Sequence, residues 1–320
     1  MQKPGKNILV IAENAIGDCI MMLPALRALS RNSTEGFRLL VSPNKRESVF
    51  FEFEKQIELW TDYTSEGDYI FPSDENIRRA SGGCDSLVNL CTWWNDFDSF
   101  MIDGITAYSV AETKFESYPS SLRTHDLLHA FENYFKVVNQ IFETESIENY
   151  VAPVMLPSEA IGFAKSIKER LGTKIKLLGI HSYSRPDKTM TSCAFPTEIN
   201  KFLVKNPDWV IVNLDPIKGT ILDAVSREKV LRLYGRPLSY YLAMVNVCDA
   251  FIGVDSCFLH AADLARIPSV GLFSPTSPKI WGLKFSKGLN LCADSMSLFE
   301  GADINLALGS LMHEVNAQYC

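Results

Sequence analysis

The sequence predicts an α/β protein made of two halves, each a parallel sheet covered by helices on both faces. Three observations support this fold class. Short apolar runs, such as ILVIA at 8–12, alternate with helical patterns, as expected for strands buried on both faces. The alternation restarts after the proline-containing segment at 152–160. The 320 residues suffice for two domains, which we place at 1–152 and 153–320.

The first half begins with the strand at 8–12 and a helix that starts near Asp18, where an acidic residue favours the positive end of a helix. Pro24 lies within this helix and predicts either a kink or a later start. FRLLVS at 37–42 is the next strand, and IELWTDY and SLVNLCTW supply two more.

The periodicity then fades between Trp93 and Arg123, which predicts a functional loop region or an excursion of short helices. An amphipathic helix follows at 125–142 and completes the first half.

The second half repeats the pattern with five apolar runs and helical segments between them. These runs are KLLGIHS (176–182), WVIVNLD (209–215), VLRLYG (230–235), AFIGVD (250–255) and PSVGLFS (268–274). A last helix follows Ala302, and we expect it to pack back on the first domain.

Composition excludes several classes of protein. Apolar residues make up 47% and charged residues 22%, which is globular rather than disordered or coiled-coil composition. Eight cysteines without a CxxC pair predict neither a disulfide scaffold nor a structural zinc site. The N-terminal apolar run is short and no 18-residue apolar stretch occurs, so we expect a cytoplasmic protein without a signal peptide or membrane span. Peripheral contact with a membrane stays open.

Two segments carry a specific pattern. The first is ILVIAENAIGDCIMMLPALRAL, with Gly17 and Asp18 in the turn before an LPALRAL helix. The second runs from Leu231 to Leu283. Its matching residues are Gly235, Leu238, Asp249, Gly253, Asp255, Ser256, His260, Ala261, Ala262, Pro268, Leu272, Phe273, Pro275, Thr276 and Pro278. On these residues the chain resembles the ADP-heptose:lipopolysaccharide heptosyltransferases of glycosyltransferase family 9.

The resemblance implies a GT-B fold, in which two Rossmann-like domains face a central cleft. It also implies an inverting transfer of heptose or a related sugar to a hydroxyl of a glycan or protein, as in lipopolysaccharide biosynthesis. No carboxylate cluster in the sequence resembles a DxD metal site, so we expect the transfer to be metal-independent. The donor is then a nucleotide sugar such as ADP-heptose, with no further cofactor.

The resemblance assigns Asp18 the role of the base that removes the acceptor proton. The position fits, because open α/β sheets bind ligands at the carboxyl ends of their strands. The alternative is that Asp18 caps the following helix, a common role for aspartate.

For the donor diphosphate, the resemblance points to a lysine after the strand at 176–182. Lys188 is the closer match and Arg185 the reserve, while Ser182 and Ser184 are candidate hydrogen-bond donors. A loop lysine is otherwise usually a solvated charge. We place the ribose contact at Asp215, after the strand at 209–215.

The segment from Asp255 to His260 opens a helix at a strand end, where helix amides favour an anion. The Ser256 hydroxyl would face the same anion, and we place Cys257 on the donor side with it. By resemblance, Asp255 and His260 contact the donor. The alternatives are a helix cap for Asp255 and a satisfied core position for His260.

Two residues depart from the family pattern, since Cys257 and Ser274 replace glycines. The loss of glycine predicts a tighter donor pocket, a shifted donor or lost activity. The thiols of Cys19 and Cys257 flank the two motif segments, and both residues are otherwise interpreted as small buried hydrophobes.

On the acceptor side we place Asn14, Gly17, Trp93 and Trp94; the tryptophans suit stacking on a sugar, although core packing also explains aromatic residues. Residues 43–124 hold 7 Lys and Arg against 15 Asp and Glu. This acidic excess disfavours a nucleic acid as the acceptor, because phosphates need cations.

Two alternative functions stay open from the sequence. One is a non-catalytic, nucleotide-sugar-binding relative of the family. The other is a sugar transferase that modifies nucleic acid, which the acidic excess disfavours.

Overall fold

The computed structural model describes residues 7–46, 48–59, 63–66, 69–91, 105–109 and 128–318. By its internal contacts the chain divides into two compact units, Met1–Val151 and Ala152–Cys320. We call them the first and the second unit.

The first unit alternates strands and helices. Its strands are β1 (Ile8–Ile11), β2 (Phe37–Val41), β3 (Ile57–Leu59), β4 (Tyr63–Glu66), β5 (Tyr69–Pro72), β6 (Ser86–Asn89) and β7 (Thr106–Ser109). Its helices are α1 (Ile16–Asn32), α2 (Pro43–Arg46), α3 (Asp74–Ser81) and α4 (Ala130–Ile141).

A five-stranded parallel sheet organises this unit, with the strand order β3-β2-β1-β6-β7. Every residue of β1 and β6 is buried, as predicted for strands covered on both faces. The chain leaves β1 toward β2 on one side, and β6 lies on the other side. The carboxyl ends of β1 and β6 therefore mark the switch point of the sheet, where open α/β folds bind ligands.

Helix α1 begins at Ile16 and continues to Asn32 with Pro24 inside it, so the predicted later start is wrong. An internal proline disfavours a helix by about 3 kcal/mol. Ten residues of the helix are buried, among them leucines and methionines that each contribute about 1.5–3 kcal/mol on burial. Their combined burial outweighs the effect of the proline.

The second unit repeats the alternation. Its strands are β8 (Lys176–His181), β9 (Trp209–Asn213), β10 (Val230–Arg232), β11 (Ala250–Val254), β12 (Ser269–Phe273) and β13 (Gly288–Cys292). Its helices are α5 (Ser158–Leu171), α6 (Ala194–Lys205), α7 (Leu238–Val245), α8 (Cys257–Leu264), α9 (Pro278–Trp281) and α10 (Gly301–Gln318).

Its six strands form a parallel sheet in the order β10-β9-β8-β11-β12-β13. All residues of β11 and β12 are buried. The order reverses between β8 and β11, so the switch point of this sheet lies at the carboxyl ends of these two strands.

The C-terminal helix α10 belongs to the second unit. Its buried side chains Ile304, Leu308, Leu311 and Val315 lie in the same apolar core as residues of β8, β11 and β12. Its apolar face thus covers the second sheet. The expected packing of this helix on the first domain stays a prediction. In the described ranges, no helix is long and apolar enough to cross a membrane.

Two strands of the parallel sheets were not predicted, and neither was the antiparallel pair of β4 and β5. β7 lies within the segment for which the sequence predicted a loop or short helices, because its composition carries little apolar signal. β13 is an edge strand whose residues alternate between exposed and half-buried, which weakens the hydrophobic pattern. Both pair in parallel at the edge of a sheet, where one side of the strand needs no partner.

Close packing between β11 and β8 predicts that Gly253 tolerates no side chain. A Cβ atom there would lie 2.8 Å from the Phe251 ring and 3.0 Å from the His181 carbonyl oxygen. We expect Gly253→Ala to lower the free energy of unfolding by about 1–3 kcal/mol, because overpacking forces backbone shifts. Thermal unfolding measures this effect.

Gly162 on α5 provides the matched control, since a Cβ there meets no atom within 4 Å. Gly162→Ala should raise the stability by about 0.5–1 kcal/mol, as alanine replaces glycine within a helix. Equal melting temperatures for the two variants would contradict the packing at Gly253.

Candidate functional site

The switch point of the second sheet gathers a buried polar cluster around Asp255, the residue after β11. Asp255 is 5% exposed. The Nζ atom of Lys188 lies 2.5 Å from its Oδ2 atom, and the Thr276 hydroxyl donates to the same oxygen at 2.7 Å. The Nε2 atom of His260, on α8, lies 3.5 Å from Oδ1. Three neighbouring strand ends thus meet at one carboxylate.

Electrostatics keep this carboxylate ionised. Burial by itself raises the pKa of Asp255, but the hydrogen bond and charge of His260 and the ammonium of Lys188 hold it well below its usual range. The Nδ1 atom of His260 is buried and has no hydrogen-bond partner among the residues that the structure describes. Such an atom is a suitable contact for a polar ligand.

A second contact joins β8 to the start of α8. The Nδ1 atom of His181 lies 2.9 Å from the hydroxyl of Ser256, the residue before α8. The His181 ring also packs edge-on against Phe258, with the ring centroids 4.6 Å apart. The first turn of α8 carries the positive end of the helix dipole, and this contact fixes its position at the switch point.

Asp215, after β9, is bonded within the protein. It is fully buried, and its carboxylate accepts hydrogen bonds from the backbone and hydroxyl of Ser182, at 2.7 and 2.6 Å, and from the backbone of Tyr183 at 3.1 Å. These contacts hold the loop after β8 in place. The expected ribose contact of Asp215 and the expected donor contact of the Ser182 hydroxyl are therefore not supported, because their polar atoms are bound within the protein.

The two cations of this loop are placed differently. Lys188 points into the cluster, with a side chain that is only 15% exposed. Arg185 is exposed and lies 3.4 Å from Asp187. The geometry separates the two candidates and leaves Lys188 as the cation at the switch point. Ser184 lies nearby, with its hydroxyl 3.5 Å from the backbone oxygen of Asp255.

The two replaced glycines impose no backbone strain. Cys257 is the first residue of α8, and Ser274 follows β12. Among the described non-glycine residues, positive φ is confined to Arg266. The substitutions therefore add side-chain atoms without forcing an unfavourable conformation. Burial raises the pKa of the Cys257 thiol to about 12, so it is not a thiolate.

In the first unit, Asp18 lies in the first turn of α1 near the switch point of the first sheet. The N-cap residue of this helix is Ala15, so the alternative that Asp18 is the N-cap is wrong. The hydroxyl of Tyr134, on α4, donates to the Oδ1 atom of Asp18 at 3.2 Å. Asp18 is partly exposed.

The other acceptor-side candidates divide into three cases. Asn14 is 2% exposed, and its amide donates to the Leu90 carbonyl at 2.9 Å, so it is structural rather than acceptor-facing. Gly17 lies beside Asp18 in the first turn of α1 and is partly exposed. Trp93 and Trp94 lie outside the described residues.

The same edge holds a buried ion pair that the sequence analysis missed. Lys45 and Glu13 form a salt bridge and are both less than one-tenth exposed. Burial lowers the pKa of Lys45 to about 8. Glu13 also accepts from the Ser42 backbone at 3.0 Å, so it joins the ends of β1 and β2. The sequence signal that could have found this pair is Glu13, an acid that comes directly after the predicted buried strand at 8–12.

Tyr134, His181 and Thr276 were also not selected as site residues. Tyr134 contacts Asp18 across 116 positions, and neither its helix nor its spacing indicated this contact. Cys19, by contrast, is fully buried and agrees with its interpretation as a small apolar residue.

Comparison with solved structures gives matches over nearly the whole chain. A glycosyltransferase of family 9 from Veillonella parvula DSM 2008 has a TM-score of 0.77 and 17% identity, covering 98% of this chain and 99% of its own. E. coli ADP-heptose LPS heptosyltransferase II has a TM-score of 0.64 and 15% identity, covering 97% and 99%. E. coli heptosyltransferase WaaC with ADP has a TM-score of 0.63 and 13% identity, covering 97% and 99%.

The chain has the fold of these glycosyltransferases. The predicted fold class, with two Rossmann-like units as in GT-B proteins, is confirmed. Identities of 13–17% show the fold alone. Comparison of the sequence with protein-family models and with curated proteins found no match.

The buried imidazole at the switch point predicts a pH-dependent stability. Burial lowers the pKa of His181, while the Asp215 carboxylate, 4.0 Å from Nε2, acts in the opposite direction. The unfolded histidine has a pKa of about 6.5. The neutral ring therefore stabilises the fold fully above about pH 6.5, and this contribution is lost as the pH falls toward the lowered folded value.

We expect His181→Asn to flatten the loss of stability between about pH 6.5 and 5, because asparagine can keep the contact to Ser256 without a titrating ring. Urea unfolding at a series of pH values measures the slope. His313→Gln, at an exposed position of α10, controls for loss of a histidine and should keep the wild-type slope. An unchanged slope in His181→Asn would show that His181 does not titrate on folding.

Proposed function

We propose that this protein is an inverting, metal-independent glycosyltransferase. It would move heptose or a related sugar from a nucleotide-sugar donor to a hydroxyl of a glycan or protein. ADP is the first candidate for the nucleotide part of the donor. The observation that carries this proposal is the buried cluster of Lys188, Asp255, His260 and Thr276 at the switch point of the second sheet. The fold shared with heptosyltransferases, one of them bound to ADP, supports it.

The donor diphosphate would bind beside Lys188 and the first turn of α8. When the bond between the sugar and the diphosphate breaks, negative charge grows on the leaving phosphate. An ammonium and helix amides stabilise this charge in place, without solvent reorganisation. The cluster is held by contacts within the protein, so these groups are oriented before the donor arrives.

Asp18 would act as the general base. Its carboxylate accepts the proton of the acceptor hydroxyl as that oxygen attacks the anomeric carbon. The bond to the diphosphate breaks on the opposite face, and its electrons leave with the nucleotide. A single displacement of this kind inverts the configuration at the anomeric carbon.

A metal is not needed for this arrangement. Among the described residues, the carboxylates of Asp255 and Asp215 lie at the switch point, and both have partners within the protein. Lys188 and Thr276 contact Oδ2 of Asp255 and His260 lies near its Oδ1, while Ser182 and Tyr183 donate to Asp215. Positive charge at the diphosphate would come from Lys188 instead. The donor is the only small molecule that the proposal requires.

The acceptor is proposed to be a neutral or cationic glycan or protein. The 15 acids against 7 bases in residues 43–124 repel a phosphate-rich acceptor. Binding without transfer is the second candidate, favoured by the replacement of two family glycines with Cys257 and Ser274. Incubation of the protein with ADP-heptose and an array of glycans, followed by mass spectrometry, separates transfer from binding.

Removal of the Lys188 ammonium should weaken binding of ADP. We expect Lys188→Ala to raise the Kd for ADP by at least tenfold, since a charge-assisted phosphate contact contributes about 1.5–3 kcal/mol. Calorimetric titration measures this Kd. Arg185→Ala removes a cation from the same loop outside the cluster and should leave the Kd within about twofold of wild type. Equal affinities for both variants would remove Lys188 from the donor site.

Replacement of the proposed base should affect transfer alone. Asp18→Asn keeps the shape of the side chain and an oxygen that can accept from Tyr134. We expect transfer to fall by about 100-fold or more, because general-base catalysis typically contributes about 10²–10⁴ in rate. The melting temperature and the Kd for ADP should stay near the wild-type values. Near-normal transfer would exclude Asp18 as the base.

A further inference from the structure

A chain of buried hydrogen bonds leads from the sheet of the first unit to Asp18. The amide nitrogen of Asn14 lies 2.9 Å from the Leu90 carbonyl oxygen and 3.3 Å from the Tyr134 hydroxyl. The Tyr134 hydroxyl lies 3.2 Å from the Oδ1 atom of Asp18. Asn14 and Tyr134 are 2% and 1% exposed, so water does not compete for the two bonds that Asn14 makes. Asp18, at the end of the chain of bonds, is partly exposed.

The direction of every bond in this chain follows from its first member. A backbone carbonyl only accepts, so the NH₂ group of Asn14, and not its oxygen, must face Leu90. The second hydrogen of that NH₂ group then points at the Tyr134 oxygen, which accepts it. The phenol has one hydrogen, and it is left to donate to Asp18. The carbonyl of Leu90 thereby determines that Asp18 receives a proton donor.

The phenol can keep this role because it stays protonated. Burial, followed by the nearby charge of Asp18, raises the pKa of Tyr134 well above its usual value. Within the part of the chain that the structure describes, the other titratable groups around it are the thiols of Cys19 and Cys91, and burial raises the pKa of both. The buried pair of Lys45 and Glu13 lies beyond Cys91. Tyr134 is therefore a permanent neutral donor.

We propose that Tyr134, oriented by Asn14, is the positioning residue of Asp18: it fixes the carboxylate through Oδ1 and favours the ionised form that a base needs. This inference rests on the proposed role of Asp18 as the base. A hydrogen bond to the charged form of a carboxyl group lowers its pKa. Loss of the phenol should leave a carboxylate that is less well oriented and that gains a proton at higher pH.

The matched pair of variants is Tyr134→Phe and Tyr150→Phe. Tyr150 is also buried in the first unit, and its hydroxyl lies 3.2 Å from the Asn32 side chain, at the other end of α1. Each variant removes one buried phenol hydroxyl, but the contact to Asp18 is lost in Tyr134→Phe alone. A general loss of stability would therefore appear in both.

The first readout does not depend on activity. The titration of the Asp18 carboxyl carbon is followed by NMR in full-length protein with ¹³C-labelled aspartate, and Asp18→Asn identifies the resonance. We expect Tyr134→Phe to raise the midpoint by about one pH unit and Tyr150→Phe to leave it unchanged. Equal midpoints in Tyr134→Phe and wild type would overturn the proposal.

The second readout is sugar transfer. We expect Tyr134→Phe to lower kcat about tenfold and to move the acidic limb of the pH–rate profile upward by about one unit, with the Kd for ADP unchanged. Loss of kcat without movement of the acidic limb would indicate a merely structural role and would overturn the proposal. If Tyr134→Phe fails to fold, Asn14→Ala is the substitute variant, because it frees the phenol to turn away from Asp18. Asn14→Ala should raise the titration midpoint of Asp18, and an unchanged midpoint would overturn the proposal.

The two hypotheses fail in different ways. Normal transfer by Asp18→Asn would contradict the base role, whether or not Tyr134→Phe shifts the titration midpoint of Asp18. An inactive Asp18→Asn together with an unmoved midpoint in Tyr134→Phe would leave the base role standing and would remove Tyr134 from it.

Discussion

The burial of the Asp255 carboxylate sets a requirement that organises the second unit. An unpaired charge at this depth would destabilise the fold by several kcal/mol, so the protein must supply donors to it. They come from the two strands that flank β11: Lys188 follows β8, and Thr276 follows β12. His260 adds a third contact from α8. A single carboxylate therefore joins three strand ends, and its partner Lys188 lies 67 positions away in the sequence.

The first unit meets a similar requirement with a different set of groups. Asp18 lies near the switch point of its own sheet, and its partner Tyr134 reaches it from α4. Parallel strands place all of their carboxyl ends at one edge, so polar residues collect there in both units. In both units a buried acid is matched by a lysine: Asp255 by Lys188 in the second and Glu13 by Lys45 in the first. Asp18 is held by a neutral phenol instead, which suits its proposed role as a base.

The sequence was most informative where burial imposes a pattern. Strands buried on both faces appear as apolar runs, and β8, β9, β11 and β12 were found in this way. The motif after β11 also led to Asp255 and His260. Contacts between distant segments leave no such pattern, and Tyr134 was missed for this reason. Asp215 shows a further limit: an acid after a strand is visible in the sequence, but its fully buried carboxylate bonds the adjacent loop, a contact that composition cannot reveal.

The loop after β8 has a consequence for the thermodynamics of binding. Asp215 holds its first residues, the Met190 backbone donates to the Ser182 carbonyl at 2.8 Å, and the Thr189 hydroxyl donates to the Ser184 carbonyl at 2.8 Å. A loop closed on itself in this way has already lost much of its conformational entropy during folding. A ligand that meets it does not have to order the backbone, and each ordered residue would otherwise oppose binding by about 1–2 kcal/mol. For the proposed donor, the rigidity of this loop would therefore increase affinity, because the loss of backbone entropy has already occurred when the protein folds.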